Sequence, residues 1–198
     1  MGRHVTVALW GNGAVRVLTG FLTLFVAFVV REQAETDPAR QLLLIGIVGA
    51  TAGVGSFIGN AVGARRQFLK SDAVIMSCVT AAVLVSGVAA LLPGIATAAL
   101  VGLIGAAASA LAKVCLDAVI QRDLPDESRA SAFGRSETVL ALAWVFGGAL
   151  GVLLPHDTFW LGFAVIAGVI ALAGAQSALV ARARSLLPFI GHRAPNRA

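Results

Sequence analysis

Five side chains in this sequence could do chemistry from positions where a polar group is costly. Arg16, Asn60, Lys113, Asp117 and Glu137 lie within, or at the edge of, long apolar runs. Hydrocarbon cannot solvate a charge, so an embedded ionisable group usually faces protein or a water-filled cavity and marks a polar pathway. Lys113 and Asp117 are four residues apart and share one helix face, although lysine-first is the weaker order for such a pair. Other arrangements compete with that pairing. Arg16 could take Asp117 if the first and fourth apolar segments meet, Lys113 could reach along its stem to the cytoplasmic interface, and Asp117 could contact the loop carrying Arg122.

Other chemistries lack their residues. His4, His156 and His192 all fall in tails or loops, so no embedded serine–histidine pair can form. Asp117 is the one aspartate well inside an apolar run, which argues against a two-aspartate protease. Cys78 and Cys115 sit in separate apolar runs and read as small hydrophobes, not as a metal motif. The run from Gly53 to Gly59 has the wrong spacing for a dinucleotide loop. The expectation is a non-enzyme with no catalytic residue, no metal and no cofactor.

These groups must be positioned by elements that suit a membrane. Of 198 residues, 58% are hydrophobic and 13% charged, with a mean hydropathy of +0.89. A soluble domain averages about 45–50% apolar and roughly 25% charged, so the surplus needs lipid to face. Crossing about 30 Å of hydrocarbon takes roughly 20 apolar residues as a helix, the form that satisfies its own backbone without water. Six segments reach that length: 7–30, 41–64, 73–92, 95–121, 137–154 and 159–181. Turn signals divide them at Asp37-Pro38, Pro93-Gly94, Leu124-Pro125-Asp126 and Pro155-His156-Asp157. Pro93-Gly94 is so short that the third and fourth segments form a tight antiparallel hairpin. None of the runs alternates as a barrel strand would.

Charge orients the chain. With the N-terminus in the cytoplasm, the inside segments hold Arg3; Arg65, Arg66 and Lys70; Arg122, Arg129 and Arg135; and Arg182, Arg184, Arg193 and Arg197. Those eleven basic residues stand against Arg31 and Arg40 outside. The bias places both termini in the cytoplasm. It also accounts for the formal net charge of +5 without nucleic acid, which is not expected as a partner.

Packing signals accompany the spans. Gly55, Gly59 and Gly63 recur every four residues, and Ala143, Gly147 and Gly151 repeat the device. Small residues at that spacing let helix backbones approach closely in lipid. Spans one, two, four and five carry polar groups, whereas three and six carry no charge between their ends. The first set is expected to line a polar interior and the second to face lipid.

A family resemblance rests on two stretches. One runs Leu116-Asp117-Ala118-Val119-Ile120-Gln121-Arg122-Asp123-Leu124-Pro125, through Ser128-Arg129-Ala130 and Phe133-Gly134-Arg135-Ser136-Glu137, to Trp144-Val145-Phe146-Gly147-Gly148. It resembles the tenth helix, the cytoplasmic loop and the eleventh helix of bacterial, actinobacterial-type major facilitator superfamily transporters. The other is Arg16, Gly20-Phe21-Leu22-Thr23, Ala27-Phe28 and Arg31, which is similar to the seventh helix of that group. The segment from Gly59-Asn60 to Arg65-Arg66 keeps the glycines and arginines of the family's loop motif but has no aspartate.

The resemblance implies an all-α, polytopic membrane bundle of six transmembrane helices: half of a major facilitator fold, built as two inverted three-helix repeats. The chain reads as a single membrane domain over 1–198, with repeats at about 5–92 and 95–181 and a basic cytoplasmic tail at 182–198. The implied function is one half of a secondary transporter that moves a small solute by alternating access, an efflux-type carrier being one form. Its partners would be the lipid bilayer, the solute and a second six-helix half, whether a missing N-terminal half, a partner chain or a second copy. Its place would be the cell membrane. The competing class is a non-transporting assembly or regulatory subunit.

Overall fold

The computed structural model describes residues 3–33, 37–65 and 71–182. Arg66, Lys70, Arg184, Arg193, Arg197 and His192 lie outside the described residues, as does nearly all of the 182–198 tail.

The described chain is all helical: α1 (Arg3–Gln33), α2 (Pro38–Arg65), α3 (Ser71–Leu91), α4 (Ile95–Asp123), α5 (Asp126–Leu153) and α6 (Phe159–Ala181). All six are long and apolar enough to cross a membrane, and the chain is a multi-pass membrane protein. α3 and α4 form a hairpin over a minimal turn. Leu92 N–H bonds the Val88 carbonyl at 2.8 Å, and the Thr97 hydroxyl donates to the Leu92 and Gly94 carbonyls, each at 2.8 Å.

Most boundaries shift by no more than four residues from the sequence expectation, and one differs far more. The stretch 126–136, read as loop, is the opening of α5. Asp126 and Glu127 occupy its first turn, where carboxylates complement the positive end of the helix dipole, and Asp126 pairs with Arg129. The apolar run marks only the part that needs lipid, whereas a helix can continue into water on local interactions. Glu137 therefore lies well inside α5 rather than at its start.

α1 runs through the centre. Val7, Ala8, Val15, Leu18, Phe21, Phe25 and Val30 are fully buried, and α1 packs against α5, α6, α4 and α3. α2 packs mainly on α4, and α3 on α6 and α4, while the successive helices α1–α2 and α4–α5 scarcely touch. Exchanging α1 with α4, α2 with α5 and α3 with α6 maps the principal pairings onto one another, except that the α1–α3 contact has no strong α4–α6 counterpart. An aromatic cluster fills one end of the core. Phe21 and Phe25 stack at 4.7 Å, Phe163 meets both edge-on, and His156 stacks on Phe28 at 5.1 Å.

The glycine series explain the two principal seams. A methyl group added at Gly55 would strike the Leu103 carbonyl oxygen, and one at Gly59 the Ala107 carbonyl, while at Gly63 it would lie 3.0 Å from Val114. On the α1–α5 seam, Gly147 abuts the Val17 carbonyl, Gly151 would carry a methyl 2.7 Å from the Phe21 carbonyl, and Gly20 abuts the Trp144 carbonyl from the other side. Backbone meets backbone on both seams, where dispersion between closely packed helices holds the structure together. Gly49 and Gly53 face open space.

Exposure in this chain does not follow the division into lining and lipid-facing helices. Large exposed apolar side chains are concentrated on α2 (Leu42, Leu43, Phe57) and α5 (Leu142, Val145, Phe146), with fewer on α3 and α6. Only 17% of the apolar window of α2 is buried, against 39% for α3 and 33% for α6. A helix can line a cavity with one stripe and expose the rest, so polar content identifies the lining face without identifying the most exposed helix.

Candidate functional site

Of the five polar residues, the structure brings three together in one ion-paired cluster. Lys113 Nζ lies 2.6 and 2.8 Å from the two carboxylate oxygens of Asp117 and 2.6 Å from Glu137 Oε1. The first pair lies along α4, and the second crosses to α5. Lysine-first order is the weaker one for such a pair, and the Glu137 carboxylate from α5 supplies additional attraction. Arg122 pairs with its neighbour Asp123 at 2.7 Å rather than with Asp117.

Arg16 and Asn60 lie apart from that cluster, on the wall of a cavity of about 390 Å³. The wall comes from α1 (Arg16, Leu18, Thr19, Leu22, Thr23), α2 (Ala52, Ser56, Asn60), α4 (Val101 to Lys113) and α5 (Trp144). α3 and α6 contribute nothing to it. Thr23 and Asn60 are exposed, so the cavity is open on one side. Lys113 belongs to both features, with its ammonium bound by the two carboxylates while its side chain forms part of the wall.

Among the described residues, Arg16 is the one charged residue of the wall besides Lys113. Its Nε is buried without a hydrogen-bond partner, and no carboxylate pairs with it among the described residues. The Arg16–Asp117 pair considered from the sequence is not formed, because Lys113 holds Asp117.

The polar residues that sequence reasoning did not single out follow the spacing of Arg16. Asn12, Arg16, Thr19 and Thr23 recur at four, three and four residues, a single helix face. Asn12 is fully buried, and both polar atoms of its amide lack a partner. Ser56 and Asn60 repeat the interval on α2, as do Ser109 and Lys113 on α4. That periodicity was present in the sequence, but mild polar residues in an apolar run are common enough to hide it. Among the described residues, no group of three or more histidine, cysteine or acidic side chains could hold a metal ion.

No family model matches the chain. Over 195 residues it is 40% identical to an uncharacterized protein of Mycobacterium leprae (strain TN), a match covering 98% of this chain and 33% of that one. An uncharacterized protein of Mycobacterium tuberculosis (strain ATCC 25618 / H37Rv) is 42% identical over 195 residues, with 98% and 34% covered. The chain thus spans about a third of the length of the curated relatives it matches.

Proposed function

We propose that this chain is one six-helix half of a major facilitator-type carrier, moving a small solute across the cell membrane by alternating access, with both termini cytoplasmic. The observation that carries the reading is the cavity. Its wall is drawn from α1, α2, α4 and α5 only, the helices that line the pathway in each half of the family it resembles. The near-exchange of contacts between α1–α3 and α4–α6 supports two three-helix repeats. An odd number of crossings per repeat makes the second inverted relative to the first.

The exposed apolar faces of α2 and α5 suit a second helical unit. About two-thirds of each mycobacterial relative lies outside the match, which is length enough for one. The Lys113–Asp117–Glu137 cluster is read as the charged latch between α4 and α5, and Arg16 and Asn60 as wall residues that meet the solute. No catalytic step is assigned.

Cysteine accessibility tests the reading. Ser56→Cys and Ser109→Cys, placed on the wall, should each react with an impermeant maleimide added from either side of the membrane. Size in mild detergent should exceed that of a monomer. Reaction from one side only, or from neither, together with a strict monomer, would favour the assembly or regulatory subunit instead.

A further inference from the structure

Both charged residues on the cavity wall are cations, Arg16 and Lys113. Only one of them is free to recruit a ligand. Lys113 is held by Asp117 and Glu137, whereas Arg16 has no carboxylate among the described residues and a buried Nε without an acceptor. Arg16 lies near the middle of α1, so an apolar slab surrounds it and strengthens its attraction for any anion that enters. One turn away on the same face, the Asn12 amide is completely buried and unpartnered. A buried amide without partners is destabilising, and it becomes favourable only when a polar group reaches it.

We infer that the cavity binds a small organic carboxylate, with Arg16 as the counter-charge and Asn12, buried one turn beyond the cavity wall, as a neutral contact engaged only when the bound anion opens a path to it. This rests on the transporter reading of the same site and names the class of its solute. Geometry favours a carboxylate, because guanidinium pairs with its planar, two-oxygen edge. Charge favours a monoanion, since among the described residues one free cation faces the cavity and a dianion would leave a charge uncompensated against Leu18, Leu22, Val101 and Trp144. Those same side chains would cover an apolar body. A volume of about 390 Å³ lies within the usual small-molecule range.

The test uses the purified full chain in detergent, titrated with 2-naphthoate, 2-naphthalenemethanol and 2-naphthylmethylammonium by calorimetry and thermal shift. Naphthoate should bind and raise Tm, with the alcohol and the ammonium each at least about tenfold weaker. Arg16→Gln should reduce naphthoate affinity by about tenfold or more, while Arg16→Lys keeps part of it. Asn12→Leu should raise the Tm of the unliganded protein yet weaken naphthoate binding several-fold, a combination that a purely structural role would not give.

Equal binding of the ammonium, wild-type affinity in Arg16→Gln, or no naphthoate binding would each overturn the inference. The last is the result expected if Arg16 instead pairs with a carboxylate of another helix. Naphthoate that binds while Ser56→Cys and Ser109→Cys react from one side only and the chain stays a strict monomer would leave the carboxylate site standing and remove the transport reading. Transport of a cation, unaffected in Arg16→Gln, would do the reverse.

Discussion

Lys113 on α4 reaches Glu137 on α5 at 2.6 Å, across a pair of helices that otherwise scarcely touch. The same ammonium holds Asp117 one turn along its own helix. One cation therefore pairs with two carboxylates, which leaves the cluster one negative charge in excess, and bridges two elements at once. Such a contact can open without disturbing the glycine seams, which hold α2 to α4 and α1 to α5.

Removing the cation should therefore expose a repulsion. Lys113→Met leaves Asp117 and Glu137 without their shared partner and is expected to cost about 1–2 kcal/mol. That lies between exposed pairs, at about 0.2–1, and fully buried ones, at about 3–5, because these side chains are 22–55% exposed. Adding Glu137→Gln to Lys113→Met should recover part of the loss. A double-mutant cycle on unfolding in detergent measures it, and strict additivity would show that the bridge contributes nothing.

Asp117→Asn should spare insertion, since an amide is easier to place in the membrane than a carboxylate. The reactivity of Ser56→Cys from the two sides should shift toward one side as the latch weakens. Unchanged reactivity from both sides would remove Asp117 from the functional site.

Glycine substitutions should split by seam. Gly55→Ala and Gly147→Ala each drive a methyl into a carbonyl oxygen of the neighbouring helix and are expected to cost about 1–3 kcal/mol. Gly53→Ala, just over half a turn from Gly55 and facing open space, should be neutral or stabilising by up to about 1 kcal/mol, because alanine is the better helix former. Thermal unfolding of the three variants side by side checks the sign of each.

Orientation is open to direct labelling. In a background lacking Cys78 and Cys115, Asp157→Cys should react with an impermeant maleimide in intact cells, and Asp126→Cys only after permeabilisation. The opposite order would invert the chain, and reaction of both together would contradict the spacing of α5 across one membrane.

The sequence by itself determined the number of helices, their approximate limits and the residues through which they approach, because these follow from local quantities. Hydrocarbon thickness sets run length, Pro93-Gly94 and Leu124-Pro125 stop helices, and Gly55, Gly59 and Gly63 recur at the pitch of one turn. It also picked out Arg16, Asn60, Lys113, Asp117 and Glu137, since a charge or amide in an apolar run needs a reason. Tertiary structure alone decided which of them meet. Residues 113 and 137 are separated by a turn and by the unforeseen opening of α5, and no periodicity relates groups on different helices. Nor could spacing reveal that Lys113 takes both carboxylates and leaves Arg16 facing the cavity. That choice depends on which helix faces are brought within ion-pair distance, and the packing of α1 on α5 and of α2 on α4 settles it.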